Sequence, residues 1–416
     1  MRIDLPFGGR QMSIALPDGI PVRLLRPAPV EPHPDPEAAV RKALDHPIGS
    51  PLLEEMARPG QRVALIVDDI TRPTPVALVL PEVLRRLSRA GVRSTDVTIV
   101  IALGSHRPML PEEIARHLGK AAAGYRVVQS DAYDEAQFEN LGFSQLGIPV
   151  QIHRTVLESD LRVAIGNIVP HSDAGWGGGA KIVFPGVAGL RSIAALHLRG
   201  GEGPPTAFGS DITPVRMDIE ALVAEIGLHF IVNTVLTGQG QLYRVVAGHF
   251  LAAHRRGVGY AKEVFGIAIP EAMEAALINA YPAELDFWQA SKALFAGVRI
   301  VRPGGRMLLV APCPEGFGPH PMFGHYLGLP SATLAALVER GEAEEPIAAG
   351  GALLVAKIRD LFSVAIYSPG LTEGQITAMG FEPVRDPQAW LARLGVGELA
   401  AITHGGETCP YISGRE

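Results

Sequence analysis

Eleven residues near the middle of the chain combine a histidine, a glycine-rich loop and a lysine: His171-Ser172-Asp173-Ala174-Gly175-Trp176-Gly177-Gly178-Gly179-Ala180-Lys181. A second histidine, His197, follows sixteen residues after the lysine. Glycine lets a backbone approach a ligand closely, because no Cβ intervenes. Gly177, Gly178 and Gly179 therefore suit a loop shaped around a bound group, with Lys181 delivered to it. Most glycine-rich loops are only turns, and most lysines only cover a loop edge. The loop gains weight from two other polar segments.

Those segments are Asp68-Asp69-Ile70-Thr71-Arg72-Pro73 and Gly104-Ser105-His106-Arg107, each placed directly after an apolar run. In open α/β sheets, ligands bind beyond the carboxyl ends of the strands, near a switch in strand order. Converging strand ends would bring Asp69, Arg72, His106, His171 and Lys181 into one crevice, a catalytic inventory of carboxylate, guanidinium, two imidazoles and amine. Each has a plainer reading too. Asp69 could cap the following helix. Arg72 could be a surface arginine, although its planar fork suits an anionic carboxylate ligand. His106 alone would be structural; paired with His171 it reads as general acid/base, the usual office of histidine near neutral pH. His197, in the helical pattern Ser192–Leu198, is either a buried polar residue or a metal ligand. Gln289 and Lys292 are three apart and share a helix face, as a solvated surface or as a lid over the crevice.

The elements that must position these residues read as an α/β protein. Val63–Val67 and Val97–Leu103 are continuous apolar runs of the kind found in buried parallel strands. Helical spacing follows each, through Leu84 and Leu87 and near Pro111–Leu118, and a third strand at Leu161–Ile165 leads into the glycine loop. Phe230–Leu236 and Leu242–Ala247 flank Gly238-Gln239-Gly240 as a hairpin. Beyond it the alternation restarts: a strand at Ala275–Ile278, a helix over roughly Leu285–Phe295, a strand at Arg306–Ala311 and a further apolar segment at Leu353–Ala356. The expected fold is two α/β domains with mostly parallel sheets and the active site in the cleft between them. An N-terminal domain is expected over 1–268, a smaller one over 269–397, with 398–416 returning to the first.

Composition narrows the function classes. Of 416 residues, 47% are hydrophobic and 19% charged, which suits a well-buried globular enzyme. The net charge of −6 argues against nucleic acid as partner. No apolar stretch is long enough to cross a bilayer, and Met1–Pro6 shows no signal-peptide pattern, so the expected location is cytoplasmic. Two cysteines, Cys313 and Cys409, make no disulfide framework. A phosphate-binding P-loop fails, because Ala180 and Ile182 stand where Gly and Ser or Thr are needed beside the lysine. His171, Asp173 and His197 match no standard zinc spacing.

With these motifs in place, the chain resembles the nickel-pincer-nucleotide lactate racemases and related 2-hydroxyacid racemases and epimerases. The resemblance covers nearly the whole chain and rests on Asp68–Pro73, Gly104–Arg107, His171–Lys181, His197, and Gln289 with Lys292. It implies a pyridinium-3-thioamide-5-thiocarboxylate mononucleotide attached covalently to Lys181, beside Asp69 and the loop of Gly177, Gly178 and Gly179. It implies Ni(II) held by the cofactor and His197; square-planar coordination by soft sulfur and imidazole suits that ion. His106 and His171 match the acid/base pair, and Arg72, Gln289 and Lys292 match groups that hold a small 2-hydroxy acid. One histidine would take the hydroxyl proton while the α-hydride moves to the cofactor; hydride then returns to the other face of the keto acid. Enzymes of cofactor biosynthesis would be transient partners. The chain departs from the family at Gly177, where a hydroxyl residue is usual, and at Trp288, where a tyrosine is.

Two other readings remain open: a metal-dependent hydrolase using His171, Asp173 and His197, and a non-catalytic protein that binds hydroxy acids.

Overall fold

The computed structural model describes residues 2–144 and 147–414. Met1, Gln145, Leu146, Arg415 and Glu416, which the expected domains include, lie outside the described residues. Two large sheets dominate. In chain order their strands are β1 (Val22–Leu25), β2 (Val63–Asp68), β3 (Val97–Ala102), β4 (Arg126–Ser130), β5 (Leu161–Asn167), β6 (Phe230–Leu236), β7 (Leu242–Gly248), β8 (Met273–Asn279), β9 (Val301–Val310), β10 (Ser363–Tyr367), β11 (Glu382–Pro383) and β12 (Leu399–Ile402). The helices that matter for the site are α1 (Val76–Arg89), α2 (Leu190–Glu202), α3 (Pro214–Ile226), α4 (Ala252–Phe265) and α5 (Pro346–Leu361).

The first sheet has six strands in the order β7-β6-β5-β2-β3-β4. All its neighbours are parallel except the β6–β7 hairpin. Side chains alternate between faces along a strand, and here both faces are buried. Val63, Leu65 and Val67 of β2 pack under α1, while Ala64 and Ile66 join Val223 of α3 and Ala261 of α4. A strand buried on both faces must be apolar throughout, which is why these runs show no alternation.

The second sheet also has six strands, in the order β11-β10-β9-β8-β12-β1, all parallel. One face, including Ile278, Leu309 and Ile366, shares a continuous core with the first sheet. The other, including Leu277, Leu308 and Ala401, is covered by the hairpin Arg2–Phe7/Arg10–Ala15 and by Trp390 and Leu391.

The mixed α/β class with mostly parallel sheets is as expected, and one local expectation is corrected. The end of the chain is divided: β12 lies between β8 and β1 in the second sheet, while Cys409–Ile412 pairs in parallel with Gly266–Ile269, at the end of the stretch expected as the N-terminal domain. β1, near the start of the chain, belongs to the second sheet as well, because its backbone pairs in parallel with β12 from Val22 to Leu25. The helix expected over Leu285–Phe295 is broken into Phe287–Ala290, a tighter turn over Ser291–Ala293 and Leu294–Val298. Leu353–Ala356 is the middle of α5, buried against both sheets' helices.

Candidate active site

β2, β3 and β5 are adjacent, and β2 pairs in parallel with both, so their carboxyl ends open on one edge. β2 is the first strand of this sheet in the chain. β3 and β4 lie on one side of it, β5 and β6 on the other, so the strand order reverses at β2. Asp69 follows β2, His106 follows β3 and His171 follows β5.

Asp69 does not cap a helix, since α1 begins only at Val76. Its Oδ1 accepts from the Thr71 amide at 3.1 Å and the Thr71 hydroxyl at 2.5 Å, closing a tight turn. Its Oδ2 lies 2.7 Å from His106 Nδ1. Burial alone would raise the Asp69 pKa, but the His106 hydrogen bond and charge, with Arg72, hold it at about 2. The neighbouring Asp68 goes the other way: burial pushes it up to about 7, although the Thr74 hydroxyl donates to its Oδ2 at 2.5 Å. One of two adjacent carboxyls is thus firmly ionised and the other titrates near neutrality.

The glycine loop starts as a short hairpin, Pro170-His171 against Gly175-Trp176. Gly175 turns it at φ +72, and a Cβ there would lie 2.0 Å from the Ser210 carbonyl oxygen. At Gly179, also at positive φ, a Cβ would meet the His254 ring at 2.9 Å. The loop is held from behind by three buried groups. Arg216 donates to the carbonyls of Ala174 and Gly178 at 3.3 Å and also to that of Trp176. His254 Nε2 bonds the Gly177 carbonyl at 2.8 Å, and Asn233 Oδ1 accepts from the Gly179 amide at 2.8 Å. Carbonyls of the loop are drawn towards Arg216 and His254.

Lys181, His171, His197 and Lys292 share one electrostatic environment. Burial, then the charge of Arg72, lowers Lys181 to about 7, against a favourable contribution from Asp173. Burial and Lys181 lower His171 to about 3. Burial lowers His197 to about 4. Lys292 falls to about 8 through burial and Arg72. Arg72 itself bonds only the Thr71 hydroxyl and carbonyl, and among the described residues it has no carboxylate within salt-bridge distance. A cation left without a carboxylate beside two other cations is a ready anion site.

Gln289 and Lys292 come from the broken helix after β8. Asp286 caps it by accepting from the Gln289 amide at 2.7 Å, and Lys292 Nζ donates to Gln289 Oε1 at 2.8 Å. Trp288 is buried, with its ring 6.1 Å from that of His197 and 4.4 Å from that of His320. Space for it exists only because residue 351 is glycine, where a Cβ would lie 2.4 Å from the indole. At the other departure, Gly177, a Cβ would meet nothing closer than 3.5 Å, so sterics do not demand glycine there.

Arg72, His171, Lys181, His197 and Lys292 thus lie within electrostatic range of one another, and Asp69, bonded to His106, also feels Arg72. Arg216, His254 and His320 were missed. Helical spacing carried a signal for His254, which shares a buried stripe with Val258, Ala261 and Phe265. Among the described residues, no three His, Cys, Asp or Glu side chains are grouped to hold a metal ion.

Two imidazoles, an amine lowered to about 7 and an arginine without a carboxylate partner, on a mostly parallel α/β scaffold, are groups suited to acid–base and nucleophilic chemistry. Residues 7–205 match the lactate racemase N-terminal domain. The lactate racemase of Lactiplantibacillus plantarum is 31% identical over 286 residues, 68% of this chain and 67% of that protein. That of Thermoanaerobacterium thermosaccharolyticum is 29% identical over 322 residues, 76% of this chain and 75% of that protein. The solved structure of the Thermoanaerobacterium lactate racemase apoprotein superposes with a TM-score of 0.89 at 25% identity, covering 99% of this chain and 100% of that one. A Thermotoga maritima protein shares the fold, with a TM-score of 0.72 at 19% identity over 92% of this chain. The chain belongs to the lactate racemase family, a family of isomerases. Among the described residues, no helix is long and apolar enough to cross a membrane.

Proposed function

We propose that this protein inverts the C2 centre of a small 2-hydroxy acid, in the crevice between the two sheets, using a nickel-pincer nucleotide attached to Lys181. The observation that carries this is Lys181 itself. An amine brought to about 7 at the end of a glycine loop is largely unprotonated at mildly basic pH and nucleophilic there. The residues fit the group. His197, lowered to about 4, keeps a lone pair for a metal at neutral pH. A single imidazole is what remains for the protein to supply when the other donors belong to the cofactor.

When bound, that nucleotide supplies an acceptor for the C2 hydride. The chain does the rest. Arg72 and Lys292 neutralise the substrate carboxylate, and the Gln289 amide oxygen fixes Lys292 by accepting its hydrogen bond. His106 and His171 reach the crevice from strands on opposite sides of β2. The unprotonated one takes the hydroxyl proton at its free ring nitrogen, becoming the imidazolium, and the other returns a proton from the opposite side when it carries one. Their roles exchange with the enantiomer. Positioned proton transfer of this kind is typically worth ~10²–10⁴-fold. Trp288 and the shared core exclude water from the keto acid. A cytoplasmic location beside the cofactor-making enzymes belongs to the same proposal.

The test is inversion. Protein co-expressed with cofactor-biosynthesis enzymes is incubated with single enantiomers of small 2-hydroxy acids and analysed by chiral chromatography. Appearance of the opposite configuration at C2 is expected. Binding without inversion, in protein whose Lys181 carries the nucleotide, contradicts it and favours the hydroxy-acid-binding reading.

A further inference from the structure

Asp173 stands two residues after His171, at the tip of the Pro170-His171/Gly175-Trp176 hairpin. Its Oδ1 lies 2.5 Å from His171 Nδ1, and the Ser172 hydroxyl donates to the same oxygen at 3.0 Å. The carboxylate is enclosed, 8% exposed, and the turn that carries it is pinned by Arg216 on the Ala174 carbonyl. On the far side, α2 closes over it: a Cβ at Gly200 would lie 3.0 Å from Asp173 Oδ2, so a larger residue there would crowd the carboxylate. Burial opposes ionisation of Asp173, but the charge and hydrogen bond of His171 outweigh it and keep the pKa well below the usual range.

We propose that Asp173 is a positioning residue for His171, holding its imidazole in the tautomer with the proton on Nδ1 and the lone pair on Nε2. The arrangement duplicates Asp69 and His106, whose Oδ2–Nδ1 separation is 2.7 Å. A carboxylate on one ring nitrogen orients the ring, fixes the tautomer and stabilises the imidazolium formed when the other nitrogen takes a proton. Inversion in both directions requires two imidazoles presenting equivalent nitrogens, and two matched Asp–His pairs provide them. The backbone amides of Asp173 and Ala174 also approach His171 Nδ1, each at 3.4 Å, and would favour a lone pair there. A 2.5 Å contact with an ionised oxygen outweighs two marginal amide contacts. The inference rests on the reading of His171 as an acid/base group.

The test has two parts. In protein labelled with ¹⁵N-histidine, the His171 ring signals, assigned by their loss in His171→Gln, should report the Nδ1–H tautomer. In protein carrying the cofactor, Asp173→Asn should shift that tautomer and lower kcat ~10²–10⁴-fold, with KM changed only a few-fold. An Nε2–H tautomer in the unsubstituted protein overturns the proposal, even if Asp173→Asn fails to fold. So does an Asp173→Asn protein with unchanged tautomer and turnover. If His171→Gln itself retains full turnover, the acid/base reading fails instead, whatever tautomer is found.

Discussion

Gly350 of α5 packs directly against the backbone of His197 in α2: a Cβ at position 350 would lie 2.4 Å from the His197 carbonyl oxygen and 2.5 Å from its carbonyl carbon. The contact joins the helix carrying His197 to the helix beneath the second sheet. It fixes where the imidazole sits relative to Trp288. Glycine in a helix interior normally costs about 1 kcal/mol relative to alanine, so Gly350→Ala would stabilise an unconstrained helix. Here the obstruction is backbone, which no rotamer change relieves, and overpacking of this kind costs about 1–3 kcal/mol. Gly350→Ala should therefore lower the denaturation midpoint, whereas Gly259→Ala, with nothing within 4 Å in α4, should hold or raise it. Equal midpoints for the two variants would contradict this packing.

The Lys181 amine should behave unlike the other lysines. With its pKa lowered from 10.5 to about 7, it is protonated below that pH and free above it. In protein made without the biosynthetic enzymes, its acylation by a small amine reagent, followed by peptide mass spectrometry, should rise through pH 7 and level off. Arg72 contributes a positive charge that disfavours the protonated amine. Arg72→Gln should therefore move the midpoint upward, and a midpoint that stays put would remove Arg72 from Lys181's surroundings.

His106→Gln and His171→Gln should each lower turnover by ~10²–10⁴-fold while leaving the fold intact. Asp69→Asn should act mainly on kcat, because Asp69 contacts the His106 ring and is assigned no contact with substrate. Steady-state kinetics against both enantiomers would show it. A purely KM effect would mean that Asp69 holds substrate directly.

Arg216→Met strips donors from three loop carbonyls at once. A buried acceptor left unpaired costs about 1–3 kcal/mol, so the variant should be destabilised by several kcal/mol and its glycine loop should become open to protease. Arg216→Lys, with one charged donor centre, should fall between. Unchanged stability in Arg216→Met would show that water replaces the guanidinium.

Much of this site was legible because parallel strands buried on both faces leave continuous apolar runs, and function follows their ends. β2, β3 and β5 announced themselves that way, and Asp69, His106 and His171 followed directly. β4 was silent: Arg126-Val127-Val128-Gln129-Ser130 forms an edge strand and is only partly buried. The place of β1 and β12 was invisible for another reason. Their pairing joins Leu25 to Ile402, and no local pattern encodes a contact across that separation. Asp173 appeared in the sequence only as a possible metal ligand, because its relation to His171 depends on the hairpin turn. Arg216 gave no sign, since a charged residue in a helix ordinarily faces solvent.

The most direct test of the central claim is the mass of the Lys181 peptide from protein co-expressed with cofactor-biosynthesis enzymes that are shown to work on a control racemase. The expected result is a nickel-containing nucleotide adduct on Lys181, lost in Lys181→Ala along with C2 inversion. An unmodified Lys181 under those conditions would contradict it.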